Sequence, residues 1–235
     1  MTRRLSGLTL LGALFAVACG RGGLAPMPLP TGLAPADPAE AARWADSTRP
    51  AEYREIRFRW KFQDEYGSPA GRGRARIAPP DSLRFDVTGP LGAGHTQAFV
   101  VGDSAIWAEP EDQVQKLVPN YPLFWAMLGV ARAPAAGSSV RRFSDSSVTA
   151  WQFTLGQDTV EYVREHGGPR RLIAEVRQAG KRLGRVETKI GPTGLPESSR
   201  LTIVNPAARL DLTVYQNAKA APFAPDIWSR PPPDR

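Results

Sequence analysis

The sequence predicts a mainly β chain, folded as an antiparallel barrel or a strongly curved sheet. Three observations predict it. From Tyr53 onward apolar residues recur with period two. Turn signals rich in Gly, Pro and Asp interrupt these runs at spacings of roughly 8–12 residues. Only two segments carry helical signals. Period two gives each strand one buried and one wet face. Short strands in close succession argue against a β-α-β alternation.

The first helix is predicted from Asp37 as N-cap, with Pro38 at the first position and Glu40 at the third. It runs to about Ser47 and stops before Pro50. Strands follow. Ile56, Phe58, Trp60 and Phe62 alternate with Arg57, Arg59 and Lys61. Gly73, Ala75 and Ile77 alternate with arginines, and Leu83, Phe85 and Val87 with Arg84, Asp86 and Thr88. Further strands are expected at 96–101, 105–108, 140–144, 149–155, 159–165, 172–178, 182–190, 197–204 and 209–216. Short polar loops such as 156–158 and 178–181 pair them into hairpins. One uncharged stretch, Pro119 to Val130, breaks the rhythm. It predicts a short helix from about Pro122 to Gly129, where glycine supplies a left-handed cap.

The N-terminus reads as an export signal over residues 1–18. Arg3 and Arg4 precede an uncharged apolar run, Leu5 to Ala18, and Cys19 follows at once. The run is shorter than the roughly 20 residues a spanning helix needs. Ala16-Val17-Ala18-Cys19 resembles the lipobox of bacterial lipoproteins, with Ala16 where Leu is usual. The resemblance implies diacylglyceryl attachment to the Cys19 thiol, cleavage before it, and acylation of the new amino group. Three acyl chains exceed the two signals that stable anchoring needs. Gly20 follows Cys19, so the default destination is the outer membrane, at its periplasmic face. The plain alternative is a secretory signal with an incidental cysteine. Residues 19–36, rich in Gly and Pro, read as a tether. Residues 37–220 read as the folded domain and 221–235 as a Pro-rich tail.

Composition narrows the function. Hydrophobic residues make up 42 % of the chain, enough for a core, and Cys19 is the sole cysteine, so no intramolecular disulfide is available. Net charge is +7, and without Arg3 and Arg4 there remain 28 basic against 23 acidic groups. An exported chain with that modest excess is not a nucleic-acid binder. His95 and His166 lack metal-ligand spacing, and no GxSxG, P-loop, HExxH or GxGxxG pattern occurs. No metal or cofactor is expected, and the chain reads as a non-enzyme. Arg57, Arg59, Lys61, Arg72, Arg74, Arg76 and Arg84 fall on outward faces of successive strands. They form a solvated face or a surface for anionic lipid or an acidic protein. The inward row is aromatic: Phe58, Trp60, Phe62, Phe85, Phe99, Trp107, Trp151 and Phe153. Periodicity alone leaves open whether it packs solid or lines a cavity.

The stretch Asp81 to Gly92 (DSLRFDVTGPLG) looks like the strand and PLG segment of LolB-type outer-membrane lipoproteins. Leu123-Phe124-Trp125-Ala126-Met127-Leu128-Gly129 is similar to the family's W-x-x-x-L-G helix and turn, with one residue fewer between Trp125 and Leu128. The resemblance implies a half-open antiparallel β-barrel of about eleven strands, with short helices capping the open side. It also implies a cavity for acyl chains of lipoproteins, lined by the eight aromatic residues above. The implied lid and transfer residues are Leu91, which would match the family's protruding leucine, and Leu123, Phe124, Trp125 and Leu128. The leading expectation is a lipid-anchored carrier or acceptor. The alternatives are a structural or interaction lipoprotein with a packed core, and a hydrolase with a dispersed site.

Overall fold

The computed structural model describes residues 24–89, 94–112, 114, 118 and 120–230. Its strands are β1 (Ala34–Pro35), β2 (Arg54–Gln63), β3 (Ala70–Ala78), β4 (Ser82–Thr88), β5 (His95–Val101), β6 (Ser104–Glu109), β7 (Ser139–Ser144), β8 (Val148–Leu155), β9 (Asp158–Glu165), β10 (Arg171–Gln178), β11 (Lys181–Ile190), β12 (Pro196–Ile203) and β13 (Ala208–Lys219). They form one sheet in the order β1-β7-β8-β9-β10-β11-β12-β13-β2-β3-β4-β5-β6. Every pairing is antiparallel. The outermost strands, β1 and β6, do not pair, so the barrel is open. The strand number is thirteen rather than about eleven. The difference includes the two-residue β1, too short to show a period.

The topology has one long step. The chain leaves the sheet at β6, on one edge, and re-enters at β7, next to the other edge. Residues 110–138 make that crossing, and helix α2 (Tyr121–Ala126) lies within it. Helix α1 (Pro38–Ser47) precedes β2. The Asp37 side chain accepts from Ala39 N at 2.9 Å, as an N-cap should. Glu40 does not close a capping box; its carboxylate takes a hydrogen bond from Arg142 on β7. The backbone of α2 ends at Ala126, and the turn continues to Gly129 at φ +81°, where Gly meets no Cβ penalty.

Both helices cover the concave face. Trp44 of α1 packs on Trp151 and Tyr162, at centroid separations of 5.8 and 5.7 Å. Leu123, Phe124, Trp125 and Ala126 of α2 are all buried. One continuous apolar core joins them to Ile56, Phe58, Leu83, Val186, Leu201 and Leu212 of the sheet.

The convex face is covered by the two ends of the described chain. Residues 24–35 cross it from β11 to β7. Arg182 and Arg185 of β11 donate to the carbonyls of Leu24 and Ala25, at 2.9 and 2.8 Å. Met27 and Leu29 then pack on Ala150, Val163 and Ile173. Ala34 and Pro35 pair with Arg142 and Arg141 of β7. The segment expected as a free tether is therefore docked from Leu24 onward. The tail docks as well. Phe223 meets Tyr53 (5.7 Å) and Trp228 (5.9 Å), and Arg84 donates to the Ile227 carbonyl.

Candidate functional site

The concave face is the candidate site. β2 and β3 build its aromatic floor. Phe58 lies directly opposite Gly73, and Trp60 opposite Gly71. A Cβ at Gly73 would come within 2.3 Å of the Phe58 ring, so glycine lets the ring lie flat on the sheet. Trp60 is half-buried and shares its Nε1–H between the carbonyls of Arg72 and Thr88, at 3.2 and 3.1 Å. Phe58 stacks on Phe85 at 5.2 Å, and Phe85 meets Phe124 of α2 edge-on at 4.9 Å. Across the sheet Trp151, Phe153 and Tyr162 make a second cluster beneath Trp44. Phe62 is buried in the same core.

Six of the eight aromatic residues expected on the inner face are thus on it. Phe99 and Trp107 are not. Phe99 is paired with Arg84 and with Trp107, and Arg84 alternates with the inward Leu83 and Phe85, which puts all three on the convex face. Trp228 of the tail covers them: its ring lies 5.2 Å from Phe99, and its carbonyl accepts from Trp107 Nε1 at 3.1 Å. The inward positions on these strands belong to Ala98 and Ala108, both buried.

The covering helix is fastened at few points. Trp125, 1 % exposed, donates Nε1–H to Gly102 O at 2.7 Å. Arg132 stacks over the same indole at 5.3 Å and pairs with Asp103 at 2.9 Å. Thr188 of β11 donates to Ala126 O at 2.6 Å. The rest is apolar contact: Leu123 reaches Gly184, and Leu128 is buried beside it in the core. Tyr162 anchors the exit from α2 by accepting from Arg132 N at 3.1 Å. Burial pushes the Tyr162 hydroxyl pKa far up, so it stays neutral. Tyr162, Trp44 and Thr188 were not singled out from sequence. Tyr162 could have been, since period two on β9 aligns it with Val160.

Leu91 and Cys19 lie outside the described residues. The flanks of the Leu91 loop are joined by Gly89 N–H donating to Gly94 O at 3.2 Å. That loop connects β4 to β5, at the same end of the sheet as the β10–β11 hairpin beside which Leu24 docks.

Polar chemistry is sparse on the concave side. There His166 Nε2 lies 2.9 Å from Thr149 Oγ1; His95, whose Nε2 lies 3.4 Å from Gln97 Oε1, is on the convex side with Phe99. No group of three His, Cys, Asp or Glu able to hold a metal occurs among the described residues. The expected basic stripe is present and outward. Arg57 stands opposite Arg74, Arg59 opposite Arg72, and Arg76 opposite Arg84. Glu55 and Asp86 neutralise part of it, through contacts to Arg57, Arg76 and Arg84 of 2.7–3.8 Å. Arg59, Lys61 and Arg72 have no ion pair among the described residues.

No protein-family model matches the sequence, and no curated protein matches it. Solved structures do. A LolA superfamily protein of Nitrosomonas europaea superposes with TM-score 0.52 and 12 % identity, over 82 % of this chain and 97 % of that one. An outer membrane lipoprotein-sorting protein domain of Vibrio parahaemolyticus gives TM-score 0.52 and 9 % identity, over 80 % and 94 %. An open antiparallel barrel with helices on its concave face, matched over 94–97 % of each solved structure, is thus a fold this chain shares with a LolA superfamily protein and a lipoprotein-sorting domain.

Proposed function

We propose that the chain is a lipid-anchored carrier or acceptor that takes acyl chains of lipoproteins, or of another lipid, against its concave face. The observation that carries this is the nature of the cover. An aromatic floor is sealed by α2, a six-residue uncharged helix whose hold is mostly apolar. Apolar contact is non-directional, so an acyl chain offers the floor nearly what the helix offers. Phe58, Trp60, Phe62, Phe85, Trp151 and Phe153 would receive the chains. Leu123, Phe124, Trp125 and Leu128 would move aside. No covalent step is required; transfer follows the relative affinity of face and bilayer.

Anchoring through Cys19 fits the docked N-terminal segment. Only five residue steps separate Cys19 from Leu24, a reach of at most about 18 Å. The β10–β11 end of the sheet would then face the bilayer, with the Gly89–Gly94 loop and its Leu91 at the same end. The site of action is the periplasmic face of the outer membrane. Arg59, Lys61 and Arg72 would lie against anionic head groups or an acidic protein.

Native mass spectrometry with a synthetic diacylated lipopeptide tests this reading. A one-to-one complex is expected, and a Leu91→Glu variant should bind the lipopeptide yet deliver it poorly to acceptor vesicles. Normal delivery would remove Leu91 from the scheme. A second reading, a structural lipoprotein with a packed core, is favoured by the Phe58–Phe85–Phe124 contacts that close the face in this state. A chain that stays empty at saturating lipopeptide would establish it.

A further inference from the structure

A second pocket lies at the opposite end of the sheet, where the β9–β10 and β11–β12 turns meet the C-terminus of α1. Its volume is about 250 Å³. Leu128, Leu172, Ile190 and Leu195 make it apolar, while Arg49, Arg54 and Arg164 make it cationic. The lining carboxylate, Glu52, is taken by Lys219 at 2.5 Å.

The cations are under-partnered. Arg164 stands on β9 directly opposite Leu172, on the inward face. Among the described residues its guanidinium has neither an ion pair nor a hydrogen bond. Burial, reinforced by the Arg170 guanidinium, lowers its pKa. Arg49 gives Nη2 to Asp46 at 2.6 Å and Nη1 to Pro80 O at 3.3 Å, but its Nε is buried with no partner. Arg54 donates to Asn217 Oδ1 at 3.1 Å, and Asn217 Nδ2 is buried without an acceptor. Arg54 and Arg164 are thus half-buried guanidinium groups with no counter-charge among the described residues, which is costly. Orphaned donors above an apolar floor call for an oxyanion joined to a hydrocarbon.

We propose that this pocket binds a small amphipathic anion, a carboxylate or phosphate head on a short alkyl chain. Arg164 and Arg49 take the head, and Leu172 and Ile190 take the chain. The pocket shares Leu128 with the cover of the concave face, but its head-group residues, Arg164 and Arg49, are not among those that receive lipid in the carrier reading, so octyl-anion binding and lipopeptide binding are read separately.

Calorimetric titration of the mature chain with octanoate, octyl phosphate, octanol and inorganic phosphate tests it. One-to-one binding of either octyl anion is expected, with octanol and inorganic phosphate each at least about tenfold weaker. The tighter of the two anions identifies the head. Losing a charge-assisted hydrogen bond should make Arg164→Gln bind both roughly ten- to a hundredfold more weakly. The same variant should melt no lower than the native chain, because it removes an unpaired cation, and should bind lipopeptide normally. Octanol binding as tightly as octanoate, inorganic phosphate binding as tightly as octyl phosphate, or an Arg164→Gln variant with native affinity would overturn the proposal. Leu195→Glu, at the half-exposed rim, provides a second check, since a carboxylate there should repel both anions.

Discussion

The two faces of one sheet hold their covers by different physics. On the concave face α1 and α2 are held mainly by apolar burial, each buried large side chain contributing roughly 1.5–3 kcal/mol. On the convex face the terminal segments are held by arginines that donate to backbone carbonyls. Glu175, 0 % exposed, gathers Arg177, Arg182 and Arg185, and two of these reach on to Leu24 and Ala25. Asp86 gathers Arg76 and Arg84, and Arg84 reaches Ile227. Charge-assisted hydrogen bonds are directional and have no substitute in a hydrocarbon chain. The difference teaches that the convex covers are fixed by directional bonds, whereas the concave cover rests on contacts that, in the proposed carrier function, a lipid would replace.

The comparison can be broken first at its two strongest points. Trp125→Ala should cost about 4 kcal/mol in urea unfolding, from lost burial and a cavity. If α2 is a replaceable cover, the same variant should bind lipopeptide more tightly, since less competing contact must be given up. Glu175→Gln should cost about 3 kcal/mol by leaving three arginines around a neutral group. It should also expose residues 24–35 to protease while leaving lipopeptide affinity unchanged.

Smaller changes sharpen it. Thr188→Val removes the buried hydrogen bond to Ala126 O and should cost about 1.5 kcal/mol, read by thermal melting. Asp37→Ala deletes the α1 cap and should cost about 1 kcal/mol. The smallest effect is an acid limb. The Ser147 hydroxyl and N–H, with the Val148 N–H, hold the Asp145 carboxyl below its ordinary range. Its contribution is present above the unfolded pKa of about 3.9 and lost as pH falls through the folded one. Asp145→Ala should therefore flatten the loss of stability below about pH 4 and change little at pH 7.

Much of this was legible in the sequence, for physical reasons that also explain the failures. Period two and the turn signals located β2–β13 because each strand has one dry face. The uncharged run ending in Gly129 located α2. Phe99 and Trp107 were misplaced because bulk outvoted position: the inward residues are the small Ala98 and Ala108, and a bulge between Phe99 and Val100 resets the register with β6. The segment 24–35 reads as tether by its Pro and Gly content, and only Met27 and Leu29 hint that it docks. The cationic pocket was invisible, because Arg49, Arg54 and Arg164 come from three distant parts of the chain and meet only where strand ends converge.

Hydrogen exchange of α2 with and without a diacylated lipopeptide tests the central claim most directly. The account predicts that amides of 123–128 lose protection on binding while β8–β12 and residues 24–35 keep theirs. A bound lipopeptide that leaves α2 as protected as before would contradict it.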